Sequence, residues 1–151
     1  MNKPAKITLP TASPNYEADG YGWAMAQAQL MSQRRFAEVD WENVIEEIED
    51  VGASHYRALE SALRVVLMHH LKWEYQKAMR SRSWANSIRV HLARYDRILN
   101  KHPGLKPSLS EILQDAYPLA QLEASNETGL DIDVFPANPP SWEDIRAPRD
   151  L

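Results

Sequence analysis

The stretch "VIEEIEDVGASHYRALESALRVVLMHHLKW", Val44–Trp73, decides the fold class. Its inward candidates recur at Val44, Ile48, Val51, Leu59, Leu63, Val66, His70 and Trp73. Steps of three, four and eight residues keep one face of a helix with 3.6 residues per turn. Gly52 interrupts the run of side chains without shifting its phase. The spacing therefore predicts one long helix over about 41–78, bent or interrupted near Gly52. Asp40, just before "WENV", has the chemistry of its N-cap, and Glu42 complements the positive end of the helix dipole.

Upstream, a first helix is expected from about Tyr16 to Ser32, with Gly20 and Gly22 weakening its start, and "QRRFAEV" as the connection. Downstream, Ser83 is a candidate cap for a third helix that buries Trp84, Ile88, Leu92, Tyr95 and Leu99. "NKHPG" ends it, because Pro103 cannot continue a helix and Gly104 turns the chain. A fourth helix, about Pro107 to Glu127, would bury Leu109, Ile112, Ala116 and Leu119, with Pro118 as a kink and Thr128-Gly129 as its stop. Residues 1–13 read as a flexible N-terminal arm. Residues 14–151 read as a single helical domain that includes a Pro-rich, extended tail, 130–151, with one helical turn after Ser141. No strand pattern or repeat intervenes, so the fold class is all-α: a small bundle of about four helices.

Composition narrows the functional classes. The chain has 151 residues, 44% hydrophobic and 25% charged, as ordinary globular domains have. It has no cysteine, which excludes disulfides, thiolate catalysis and Cys-based zinc sites. "MNKPAKITLPTASPN" lacks the apolar stretch of a secretory signal, and "VVLM" is far short of the ~20 residues of a membrane span. A cytoplasmic location and no membrane partner are the expectation. The net charge of −4 is segmented. Glu17–Glu60 has ten acids against three bases, Lys72–Lys106 nine bases against two acids, and Pro107 onward nine acids against two bases. Such alternation implies segments that neutralise one another, or a basic surface for an anionic partner.

Several strings occur together and in order: "YEAD" with Trp23, "DWENVIEEIEDVG", "LRVVLMHHLKWEYQ", "RSRSW", "EILQDAY" and "ETGL". With them the chain resembles the bacterial family of domains of unknown function numbered twenty-nine, over roughly Tyr16 to Trp142. The resemblance implies an α-helical fold and transfers no activity. The chain departs from the family's pattern at His70, where leucine is usual, and at Gly20, Lys77 and Pro118.

Three constellations carry chemistry. The carboxylates Asp40, Glu42, Glu46, Glu47, Glu49 and Asp50 lack the Glu-x-x-His spacing of di-iron bundles. They read as a solvated face. His70 and His91 would meet at one level if the second and third helices ran antiparallel, as two metal ligands without a third, or as hydrogen-bonded core histidines. No metal or other cofactor is assigned. The turn Arg80, Ser81, Arg82, Ser83 and Trp84 combines arginines, a helix N-terminus and the flanking rings of Trp73 and Tyr75. That is a candidate site for a phosphate-type anion, unless Asp131 and Asp133 pair with the arginines internally.

No catalytic motif is present in the sequence, and an enzyme is not the favoured class. The expected function is binding, as an interaction protein or accessory subunit acting as an oligomer. A helix of 38 residues is about 57 Å long, more than its neighbours can cover, so a homodimer is favoured. The alternatives are an enzyme or ligand-binding protein using His70 and His91 or the Arg80–Trp84 turn, and a nucleic-acid-binding module, against which the acidic total argues.

Overall fold

The structure is a computed structural model that describes residues 14–150; the expected N-terminal arm, residues 1–13, lies outside them. Five α-helices follow one another: α1 Gly20–Ser32, α2 Trp41–Tyr75, α3 Arg82–Lys101, α4 Leu109–Thr128 and α5 Trp142–Arg146. Short 3-10 turns link them, and no strand occurs among the described residues. No described helix is long and apolar enough to cross a membrane. The chain divides into two compact units, Met1–Val51 and Gly52–Leu151, with the division inside α2.

In the first unit, α1 starts at Gly20 rather than Tyr16, because Asp19 caps it: its carboxylate accepts from the Gly22 amide at 2.8 Å. A Cβ at Gly22 would lie 2.2 Å from that carboxylate. The glycine that weakens helix propensity thus makes room for the cap. Trp23, Val39 and Val44 form a small core, with Tyr16, Leu30 and Met31 packed on it. Asp40 ties its parts together. It accepts from the Trp23 indole (3.1 Å) and the Asn43 side chain (2.7 Å), while its own amide donates to Gln27 (2.8 Å). These bonds hold the Asp40 carboxyl below the usual carboxylate range, Asn43 contributing most.

In the second unit, α2 from Leu59 onward packs with α3 and α4 around Leu59, Leu63, Val66, Leu67, Leu71, Ile88, Tyr95 and Ile112. This is the helical bundle that the periodicity implies. α2 is helical through Gly52 without interruption, and ends at Tyr75, three residues before the expected end. In α4 the buried face is Ile112, Leu113, Ala116, Tyr117, Ala120 and Ala124, whereas Leu119 is exposed. Gly129, at φ 73°, supplies the left-handed residue that ends α4. The tail is stitched onto the bundle. Phe135 and Ile145 are buried, the Tyr117 hydroxyl and the Gln121 amide donate to the Pro136 carbonyl, and Arg146 pairs with Asp96. The turn after Ser141 is α5, with Ser141 as its cap.

Candidate functional site

The turn between α2 and α3 is built from a 3-10 turn, Lys77–Met79, and an extended Ser81. Ser81, not Ser83, caps α3, its hydroxyl accepting from the Trp84 amide at 3.3 Å. Arg82, Ser83 and Trp84 therefore form the first helical turn instead of preceding it. Arg80 is engaged internally: it donates to the Trp73 carbonyl (2.8 Å), lies 4.8 Å from the centre of the Trp73 ring, and is 3.8 Å from the Glu74 carboxylate. Lys72, buried, pairs with Glu127 and stands 4.6 Å from the centre of the Trp84 ring. Each tryptophan thus has a cation of the chain itself over its ring. Asp131 and Asp133 form no ion pair with either arginine; the Asp131 carboxylate instead accepts from the Asp133 amide. Arg82 is exposed and makes no hydrogen bond or ion pair with a described residue.

Beyond Arg82 the outer face of α3 continues with Arg89, Arg94, Arg97 and Lys101, all exposed. At 1.5 Å per residue this face runs about 29 Å. None of the five cations has an ion pair among the described residues. Asp96, the one acid in α3, is taken by Arg146 through two hydrogen bonds, of 2.6 and 3.1 Å. Val90, amid these cations, is 62% exposed. It lines an open groove of about 500 Å³ with Arg82, Asn86 and His91. The sequence signal for this face was the run of nine bases against two acids, which the reading of the turn alone leaves unused.

The first three turns of α2 present the opposite character. Trp41, Ile45 and Ile48 lie on one face and are 46%, 52% and 66% exposed. Val44, Ile48 and Val51 were all expected inside; Val44 alone of the three is buried, Val51 is exposed too, and Ile48 lies 40° round from Val44. Glu42, Glu46 and Glu49 form the shoulder of this apolar stripe, exposed and without an ion pair among the described residues.

His70 and His91 are not brought together. His70, 7% exposed, receives a hydrogen bond from the Arg149 guanidinium on Nδ1 at 2.7 Å. Arginine can only donate, so the imidazole is neutral with its proton on Nε2. Burial pushes the His70 pKa down, and Arg149 adds to the shift. His91 is instead an electrostatic neighbour of His69, one residue and so 100° further round α2. His70 lines a cleft of about 550 Å³ with Glu74, Lys77, Tyr117 and Asp144. Among the described residues no group of three or more His, Asp or Glu side chains is arranged to hold a metal ion.

Residues 15–146 match the family described as a domain of unknown function, DUF29. The chain belongs to that family. The match takes in every helix from α1 to α5, and so the DUF29 domain includes the basic face of α3, the acidic shoulder of α2 and the His70 cleft. Arg149, the partner of His70, lies beyond the matched residues. No curated protein and no solved structure matches the chain.

Proposed function

We infer that this DUF29 protein acts by binding, as an oligomeric interaction protein or accessory subunit that self-associates through the outer face of the first turns of α2. The observation that carries this reading is the exposed row Trp41, Ile45 and Ile48. Three large apolar side chains adjacent on one helix face are a patch of the kind that another protein surface covers. A symmetric dimer is the commonest arrangement for such a patch. Light scattering across a concentration series tests it. The wild type is expected to gain mass with concentration, and Ile45→Glu/Ile48→Glu to remain at the mass of one chain with its helix content intact. Unchanged association in that variant would move the interface elsewhere.

A phosphate-type anion at the N-terminal turn of α3 is the second reading, favoured by the unpaired Arg82 beside Ser83. Titration with phosphate or a short oligonucleotide should then show binding that strengthens as salt falls and is lost in Arg82→Ala. No binding at low salt would remove this reading.

A further inference from the structure

We propose that the surface which receives the α2 stripe is the basic outer face of α3 in a second copy of the chain. The inference rests on the self-association reading and adds its partner surface. Charge selects the occupant. The α3 face carries Arg82, Arg89, Arg94, Arg97 and Lys101 without an ion pair to any described residue, and Asp96, the one acid of the helix, is already paired with Arg146. The α2 stripe carries Glu42, Glu46 and Glu49 along its shoulder, likewise without an ion pair among the described residues. Cations crowded on one helix face repel each other, as do the carboxylates on the other. Bringing the two faces together removes both penalties at once, and the gain is largest where apolar contact excludes water.

The apolar parts also correspond. Val90 stands exposed among the arginines, beside the groove of about 500 Å³ that it lines with Asn86 and His91. The α2 stripe offers Trp41, Ile45 and Ile48 as side chains to fill such a groove and cover Val90. Each copy has both an α2 stripe to give and an α3 face to receive one, as a reciprocal pair of copies requires. Arginine suits this role, since its planar guanidinium pairs with carboxylates bidentately and sheds water more readily than an ammonium group. Added salt should weaken the association, as it does for any interface whose charged rim is exposed.

Reciprocal charge reversal tests the pairing on the full chain. Arg89→Glu/Arg97→Glu lowers the α3 face from five positive charges to a net of one, and Glu42→Arg/Glu49→Arg turns the α2 shoulder from three negative charges to a net of one positive. All four positions are exposed, so both variants should keep the wild-type helix content. Each variant alone should self-associate about tenfold or more weakly than wild type, because the attraction is mostly lost in the first and turned to repulsion in the second. An equimolar mixture of the two should associate again, since the mixed pair restores one full wild-type contact: the unaltered α2 shoulder of the first variant on the unaltered α3 face of the second. A misfolded variant cannot produce that recovery. If the wild type associates and Arg89→Glu/Arg97→Glu associates equally well, the α3 face is not the receptor, and the proposal falls while self-association stands. A wild type that remains a single chain at every concentration overturns the reading beneath. A single chain that also binds heparin, losing it in Arg89→Glu/Arg97→Glu, would assign the α3 face to a polyanion instead.

Discussion

Tyr95 and Tyr117 are both buried tyrosines whose hydroxyls are pushed up to about 12, burial being the larger cause in each. They differ in what the hydroxyl finds. That of Tyr117 donates to the Pro136 carbonyl at 2.7 Å, while that of Tyr95 has no hydrogen-bond partner among the described residues. An unsatisfied buried hydroxyl costs its desolvation, whereas a satisfied one contributes about 1 kcal/mol. Tyr95→Phe should therefore raise stability by roughly 1 kcal/mol and Tyr117→Phe lower it by a similar amount, read from denaturant midpoints. His70 makes the complementary case through protons. Its folded pKa is depressed by burial and by Arg149, so the unfolded chain takes up a proton first as pH falls. The stability linked to neutral His70 is complete above its ordinary pKa of about 6.5 and is lost as pH falls through the depressed folded value. His70→Leu should flatten the decline of stability below pH 6.5. The comparison is of slopes, because the variant also leaves Arg149 with one partner fewer at every pH. Parallel slopes would mean that His70 already titrates as a solvated group.

At the scale of the elements, the fold was legible where large apolar residues repeat and illegible where the decisive residues are small or local. Leu59, Leu63, Val66, Ile88 and Tyr95 stand in the core that helical spacing predicts, whereas Leu92, placed with them, is half-buried and Ile48 and Val51 are exposed. In α4 the inward face is largely alanine, Ala116, Ala120 and Ala124, so the pattern offered the larger Leu119 in its place. The start of α3 posed a different difficulty. "RSRS" holds two serines of equal capping chemistry, and only the extended conformation of Ser81 after the Lys77–Met79 turn makes it the cap. Ser81→Ala should accordingly cost about 1 kcal/mol in thermal or denaturant unfolding, and Ser83→Ala, inside the first turn, markedly less. Equal costs would return the helix start to Ser83. The pairing of His70 with Arg149 spans 79 residues and joins the domain to a residue beyond the matched stretch. No local pattern in the sequence could have announced it.

For the whole molecule, charge segmentation was the readable signal and its destination was not. The sequence showed a basic segment between two acidic ones; the structure separates cations spent internally from those left facing solvent. Arg80 goes to a backbone carbonyl and an aromatic ring, and Lys72 to Glu127 and Trp84, partners that a count of charges does not weigh. Arg82, Arg89, Arg94, Arg97 and Lys101 remain, as do Glu42, Glu46 and Glu49 beside the exposed Trp41, Ile45 and Ile48. Two unpaired surfaces of opposite sign on one chain, one of them apolar, are what the proposed self-association rests on. Sedimentation velocity of the wild-type chain over a micromolar concentration series tests this most directly. The expected result is a species of about twice the 17.3 kDa chain mass that dissociates on dilution and in high salt. A single 17.3 kDa species that persists as concentration rises would contradict it.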